Sequence, residues 1–330
     1  MNFKSLSISK KIHIPLVVSM LIGTIKNVYN KEVKSLNNFL ADAMESKRNI
    51  GITNAINISQ NHSVIRALEE NNRTIAMNGL KTFSDIFKKN TDYKNIKVHI
   101  HDANVHSFLR AWKPEKHGDD LCGFRETVNT VKAKKEPIIA IELGRAGLVL
   151  RGLAPIIENG KYLGSVEFMQ GLNSIVRMAK ENYGYDVAIV MKNELLPIAT
   201  ALKDAKKISN YTLAVKEKNI DPNFLANLNN IDIAQQSFQV TDDYFIISKP
   251  IKDFSGKVVA YALVGDKIDH VNQVISHSKD ALLKQFYIMT FLDIFILVFL
   301  IFIIKKSVTD PINHLDQVAS ELAQGDADLT

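Results

Sequence analysis

With one cysteine in 330 residues, the chain can form no intramolecular disulfide and no cluster of thiolate metal ligands. Its core must hold by packing alone. Proline is missing from residues 27 to 90, which removes the strongest helix breaker from that stretch. The sequence also lacks a G-x-S-x-G nucleophile turn, an HExxH metal motif and a glycine-rich phosphate loop, so the commonest hydrolase, metalloprotease and nucleotide-binding chemistries have no carrier here. No catalysis and no cofactor are expected. A basic stripe is absent as well. The net charge of +6 is spread over lysines interleaved with acids, which argues against a nucleic-acid partner. What is present is a hydrophobic content of 46% beside 23% charged residues, enough apolar matter to bury a core.

The longest apolar run, Phe286 to Ile304, has the length needed to cross a hydrocarbon core of roughly 30 Å as a helix. Asp293 inside it costs roughly 2.5 to 3.5 kcal/mol, less than the surrounding Phe, Ile, Leu and Val residues return together. It reads as a tolerated carboxyl facing a partner helix. A shorter run from Ile12 to Ile25 carries His13, Pro15, Ser19 and Gly23, and no convincing cleavage site follows it. It reads as an uncleaved anchor over residues 12–26, after a basic cytoplasmic segment 1–11. Lys10 and Lys11 before the first run, with Lys305 and Lys306 after the second, place both ends in the cytoplasm and residues 27–285 outside. The expected location is the bacterial inner membrane, with two spans and a periplasmic region between them.

Within that region the hydrophobic period is first that of a helix. Leu36, Phe39, Leu40, Ala43 and Ile50 recur at helical spacing, and Gln60 to Ser63 offer caps for a new helix through Ile65 and Leu68. A further helix is expected around Leu80 to Phe87. From residue 96 the period becomes two. Val98 and Ile100 alternate with His99 and His101, Asp102 to Asn104 make a turn, and Ser107 to Arg110 return. A second pair runs from Pro137 and from Gly147, and Asn159-Gly160 turns the chain into a strand ending at Phe168. After a helix from Leu172 to Asn182 the plan recurs in strands from Asp186, Asp242 and Lys257. The fold class is α+β: a long N-terminal helix with two antiparallel-sheet modules, flanked by two transmembrane helices. The modules are expected at about 91–183 (distal from the membrane) and about 184–268 (proximal). A helical run from His270 to Lys284 joins the second span over 286–304.

The segments His99-Ile100-His101-Asp102, Ser107 to Val128, Ile141 to Ile156 and Gly164 to Ile175 resemble the double Cache sensor domain of bacterial chemoreceptors and sensor kinases, whose modules are PAS-like. Thr309-Asp310-Pro311-Ile312 through Leu322 to Asp326 resembles the first helix of a HAMP coupling domain over residues 305–330. Asp310 there is expected to cap a helix with Pro311 at its first position, and Ile312, Leu315, Ala319 and Leu322 fall at a/d spacing. The resemblance implies a methyl-accepting chemotaxis receptor, truncated before its signalling domain, that works as a homodimer or mixed receptor oligomer. A histidine kinase or diguanylate cyclase sensor, or a truncated receptor partner without output of its own, would have the same front end.

Family resemblance also implies a small-molecule pocket in the distal module. Arg110, Arg125, Arg145 and Arg151 could present planar forks to a carboxylate, Trp112 could wall the site, and Asp120, Glu142 and Glu167 could receive an ammonium. Pairing of these charges with one another is the alternative. The arginines favour an organic anion or amino acid as ligand. His99 and His101, with His106, His117 and Asp119 near them in sequence, have spacing compatible with zinc or nickel, but surface or hydrogen-bonded histidines explain the same letters, and no metal site is expected. Cys122 reads as a small packing residue.

Overall fold

The computed structural model describes residues 8–90 and 97–323. Residues 29–271 form one compact unit, and the described residues up to 28 and from 272 onward form another. The basic N-terminus before residue 8 and the Gly325-Asp326 stop lie outside the described residues.

The helix α1 (Ile8–Ser59) runs unbroken through 52 residues, and its part from residue 29 onward is the base of the larger unit. It stops where Asn61 begins α2 (His62–Glu69). The Asn61 side chain accepts from the backbone N–H groups of Ser63 at 2.9 Å and Val64 at 3.3 Å, satisfying donors that a helix start leaves open. α3 (Arg73–Asn90) follows and is longer at both ends than the expected Leu80 to Phe87.

The first sheet comprises β1 (Lys97–Asp102), β2 (Ser107–Arg110), β3 (Ile138–Gly144), β4 (Gly147–Glu158) and β5 (Lys161–Gln170), with α4 (Glu126–Lys134) inserted between β2 and β3. All its pairings are antiparallel, in the order β2-β1-β5-β4-β3. The turn into β5 is made by Asn159 and Gly160 at φ 50° and 76°, the double positive φ that a two-residue hairpin demands. One face is apolar: Val98, Ile100, Ala154, Ile156, Val166 and Phe168 pack against Ala55 and Ile58 of α1, Val64 and Ala67 of α2, and Leu80 of α3. The helix approaches so closely that a Cβ on Gly152 would lie 2.2 Å from the Gly51 carbonyl oxygen. The other face is covered by the segment between β2 and β3, through Leu121, Val128 and Val131, which pack with Val105 of the β1–β2 turn against Leu153.

α5 (Asn173–Met178) widens by one residue per turn over Ala179–Tyr183 and delivers the chain to a second sheet. That sheet comprises β6 (Asp186–Lys192), β7 (Lys207–Ile208), β8 (Tyr211–Leu213), β9 (Gln239–Val240), β10 (Tyr244–Lys252) and β11 (Val258–Lys267), in the order β7-β8-β6-β11-β10-β9. The three long strands match the expected ones to within two residues at their ends. The flanking strands and α6 (Pro222–Asn227), capped by Asp221, are too short to leave a periodic signal.

From β11 the chain enters α7 (Ile268–Ile304), a continuous helix of 37 residues. Among the described residues one helix is long and apolar enough to cross a membrane, the run Ile268–Glu321, whose most apolar window has a mean hydropathy of 2.8 and no buried residue. The shorter run at Ile12 to Ile25 lies on α1 and does not reach that standard, as its His13, Pro15, Ser19 and Gly23 foretell. Asp310 departs from the sequence expectation. It adopts helical φ and ψ of −64° and −44° instead of standing outside a helix as its cap. The helix widens over Lys305–Thr309 and continues as α8 (Asp310–Ala323), so the N–H that Pro311 lacks is absorbed by a local loosening rather than by a stop.

Candidate functional site

Strand alternation sends His99 and His101 of β1 to the face opposite Val98 and Ile100. β5 pairs with β1 so that Glu167 stands across from His99 and Ser165 across from His101. This register is close because residue 164 is glycine: a Cβ there would sit 2.1 Å from the His101 carbonyl oxygen. β4 adds Arg151, β3 adds Glu142, and the roof adds Arg125 at the start of α4. Six ionisable side chains therefore meet between the sheet and its roof.

Their contacts are close. Glu167, fully buried, accepts on Oε1 from Arg125 Nη2 and Arg151 Nη1, each at 2.6 Å. Glu142 Oε2 accepts from Arg125 Nε at 2.8 Å and from the Thr127 hydroxyl at 3.2 Å, with Arg151 Nε 3.3 Å away. His99 Nε2 lies 2.8 Å from Ser107 Oγ, His101 Nδ1 lies 2.9 Å from Ser165 Oγ, and His101 Nε2 lies 3.1 Å from His99 Nδ1. Burial works against an ionised Glu167, but Arg125 and Arg151 outweigh it and hold the carboxyl well below the usual carboxylate range. Burial likewise opposes the Arg125 charge, which Glu167 and Glu142 more than restore. Burial lowers His99, and burial together with its neighbour His99 lowers His101 further, so both imidazoles are neutral at pH 7.

Of the residues proposed from sequence, Arg125, Glu142, Arg151 and Glu167 are brought together, and they are paired with one another. The other four lie apart from this network. Arg110 clasps Asp119 with both ends of its fork and binds the Lys116 carbonyl oxygen at 2.9 Å. Asp119 is held at about 2, chiefly by the hydrogen bond from Arg110. Asp120 is exposed and shapes a turn by accepting from the Cys122 N–H at 2.8 Å. Arg145 is exposed in the two-residue turn between β3 and β4. Trp112 sits at the sheet's margin, with its ring edge-on to His99 at 5.9 Å and Lys97 Nζ 5.6 Å from its centre. It also lines a cleft of about 380 Å³ with Lys81, Ser84, Asp85, Val98 and Pro114.

The histidines carry the largest departure from expectation. His99 and His101 are hydrogen-bonded as foreseen but fully enclosed, with side chains 3% and 0% exposed. Their sequence neighbours do not join them: His106 turns to Asp102, and Asp119 is held by Arg110. Glu167 does, although it lies far away in sequence. The signal that could have found it is the i, i+2 histidine pair on one strand read against a glutamate on the facing strand.

Two antiparallel sheets stand in series along one long helix, the first with a roofed polar face, and this is the layout of a double sensory domain. The chain belongs to the dCache_3 family, described as the double sensory domain of two-component sensor kinases, which matches residues 29–271. No curated protein matches it in sequence. Among solved structures it is similar to the sensor domain of the Vibrio cholerae histidine kinase DctB at 11% identity, covering 73% of this chain and 98% of that one, with a TM-score of 0.42. The sensory domain of the Campylobacter jejuni chemoreceptor Tlp3 (CcmL), solved with isoleucine, is 14% identical over 78% of this chain and 97% of that one, with a TM-score of 0.41. The ligand-binding domain of the Pseudomonas aeruginosa amino acid chemoreceptor PctC, solved with GABA, is 12% identical over 73% and 99%, with a TM-score of 0.39.

Proposed function

We propose that the chain is the sensory and coupling part of a transmembrane chemoreceptor, anchored by residues 12–26 and 286–304, with a periplasmic sensor that binds a small organic anion or amino acid in its membrane-distal module. The observation that carries this reading is the ionisable cluster between the first sheet and its roof, polar groups gathered where a single-purpose core would hold apolar ones. Arg125 and Arg151 replace Arg110 and Arg145 as the arginines placed to meet a carboxylate. Glu142, whose side chain is 13% exposed, is the partner a ligand would displace, while Glu167 is sealed. Binding would shift the roof and sheet, and the continuous path from β11 into α7 would carry the shift to the HAMP-like helix α8 in a dimer. No catalysis is involved. The family description names sensor kinases, so a kinase output beyond residue 330 is the second reading.

Calorimetry on the full chain in nanodiscs, in EDTA, with carboxylates, amino acids and amines tests the ligand class. Binding of anions or amino acids is expected, and Glu142→Gln, which frees the arginine edges, should tighten it by about tenfold, roughly 1.4 kcal/mol. Binding of cationic amines alone would overturn the reading.

A further inference from the structure

One atom in the cluster is not accounted for by the arginine network. Glu167 Oε1 takes both guanidinium groups, but Glu167 Oε2 is buried and accepts no hydrogen bond. A sealed carboxylate oxygen without a partner is costly, and in native proteins such an atom commonly marks an ion or a water. It faces two imidazole nitrogens. His99 Nδ1 is 3.4 Å from it, His101 Nε2 is 3.7 Å from it, and the two nitrogens are 3.1 Å apart.

We propose that His99 Nδ1, His101 Nε2 and Glu167 Oε2 bind one divalent transition-metal ion of the zinc, nickel or cobalt class. Two atoms on a tetrahedral ion with bonds of about 2.0 to 2.1 Å lie about 3.3 Å apart, and the three separations here straddle that value. The outer partners also agree. Each histidine turns its other nitrogen to a serine hydroxyl, His99 Nε2 to Ser107 and His101 Nδ1 to Ser165, which can accept that nitrogen's proton when an ion takes the lone pair of the facing nitrogen in place of the hydrogen bond between the two rings. Arg125 and Arg151 keep Glu167 ionised and oriented from the side away from the ion. Two nitrogens and one carboxylate oxygen suit a borderline transition ion and not calcium or magnesium, which ask for oxygen throughout. The ligands come from adjacent strands, and Arg125 of the roof holds the same carboxylate, so occupancy is felt by the roof.

The site goes beyond the organic-ligand reading and does not depend on it. The test uses the full chain without an affinity tag, in nanodiscs, stripped with EDTA, re-equilibrated with Zn²⁺, Ni²⁺ or Co²⁺ without any organic ligand, and analysed by elemental mass spectrometry. About one ion per chain is expected. His99→Ala and His101→Ala should each weaken binding by tenfold or more, and His106→Ala, which alters a half-buried histidine turned to Asp102, should not. If the His99 and His101 variants do not fold, pulsed EPR of the Cu²⁺-loaded wild type decides, with modulation from two imidazoles expected. Failure to retain an ion, equal retention of Mg²⁺, or a signal with no imidazole would overturn the site. Organic binding in EDTA with no metal uptake would remove the metal site and leave the organic-ligand reading standing. Metal uptake with no organic binding would do the reverse.

Discussion

Glu167 shows how one residue can carry more constraint than its type suggests. Fully buried, it stays ionised because two arginines approach it, and those arginines are in turn shared with Glu142. A second titratable cluster behaves in the opposite way. Glu32 of α1 faces Asp266 of β11 and His270 of α7. Burial first and then Asp266 raise Glu32 to about 7, against a lowering contribution from His270. His270 is raised, chiefly by its hydrogen bond to Asp266 at 2.5 Å, with burial opposing and the Asp266 and Glu32 charges assisting. Both groups hold a proton more tightly in the folded chain than in the unfolded one. Their stabilisation is therefore complete below about pH 4.5 for Glu32 and is lost as the pH rises through about 7. Because Glu32 is only half-buried, the effect is about 1 to 2 kcal/mol after allowance for solvent screening. His99 and His101, whose proton affinity burial lowers, favour the higher pH in the wild type and in Glu32→Gln alike, so the margin between the two isolates Glu32: chemical unfolding of the full chain should show a stability advantage of the wild type over Glu32→Gln that is larger at pH 5.5 than at pH 8. An advantage that does not change with pH, or that is larger at pH 8, would show that the carboxyl is not protonated in the folded state.

At the scale of elements, α1 and the first sheet depend on two glycines facing each other. Gly51 of the helix and Gly152 of β4 meet so closely that a Cβ at 152 would strike the helix backbone, which has no flexible end to swing away. Gly152→Ala should destabilise the unit by about 1 to 3 kcal/mol in denaturant unfolding, and an unchanged midpoint would mean that α1 is free to move off the sheet. This contact was not legible in the sequence, because a glycine in a strand signals close approach without naming what approaches. The long strands were legible. Their alternation is strict from Lys97 to His101 and their turns carry Asn159-Gly160 and Ser255-Gly256, which leave little choice of register. The short strands β7, β8 and β9 were not, since two or three residues hold no period. In the site, the sequence pointed to the right strands and to four of the clustered residues. It could not say that Arg110 would be claimed by Asp119, nor that Arg145 would fall in a turn. The pairing of β1 with β5, which brings His99 to Glu167, joins strands separated by three others in the chain.

At the scale of the whole molecule, membership of the double Cache family covers residues 29–271, and one apolar helix leaves that region at its C-terminal end. In the proposed receptor the sensory unit stands outside the membrane and reads the solution there. The single cysteine gives a native probe of it, since Cys122 is exposed on the roof of the first sheet. Intact cells expressing the full chain, treated with a membrane-impermeant maleimide of periplasm-accessible size, should label Cys122 without permeabilisation. In a Cys122→Ser, Asp316→Cys chain the new thiol, beyond the span on α8, should label only after the inner membrane is opened. The reverse pattern, with Cys122 protected in intact cells and position 316 reactive, would contradict the account.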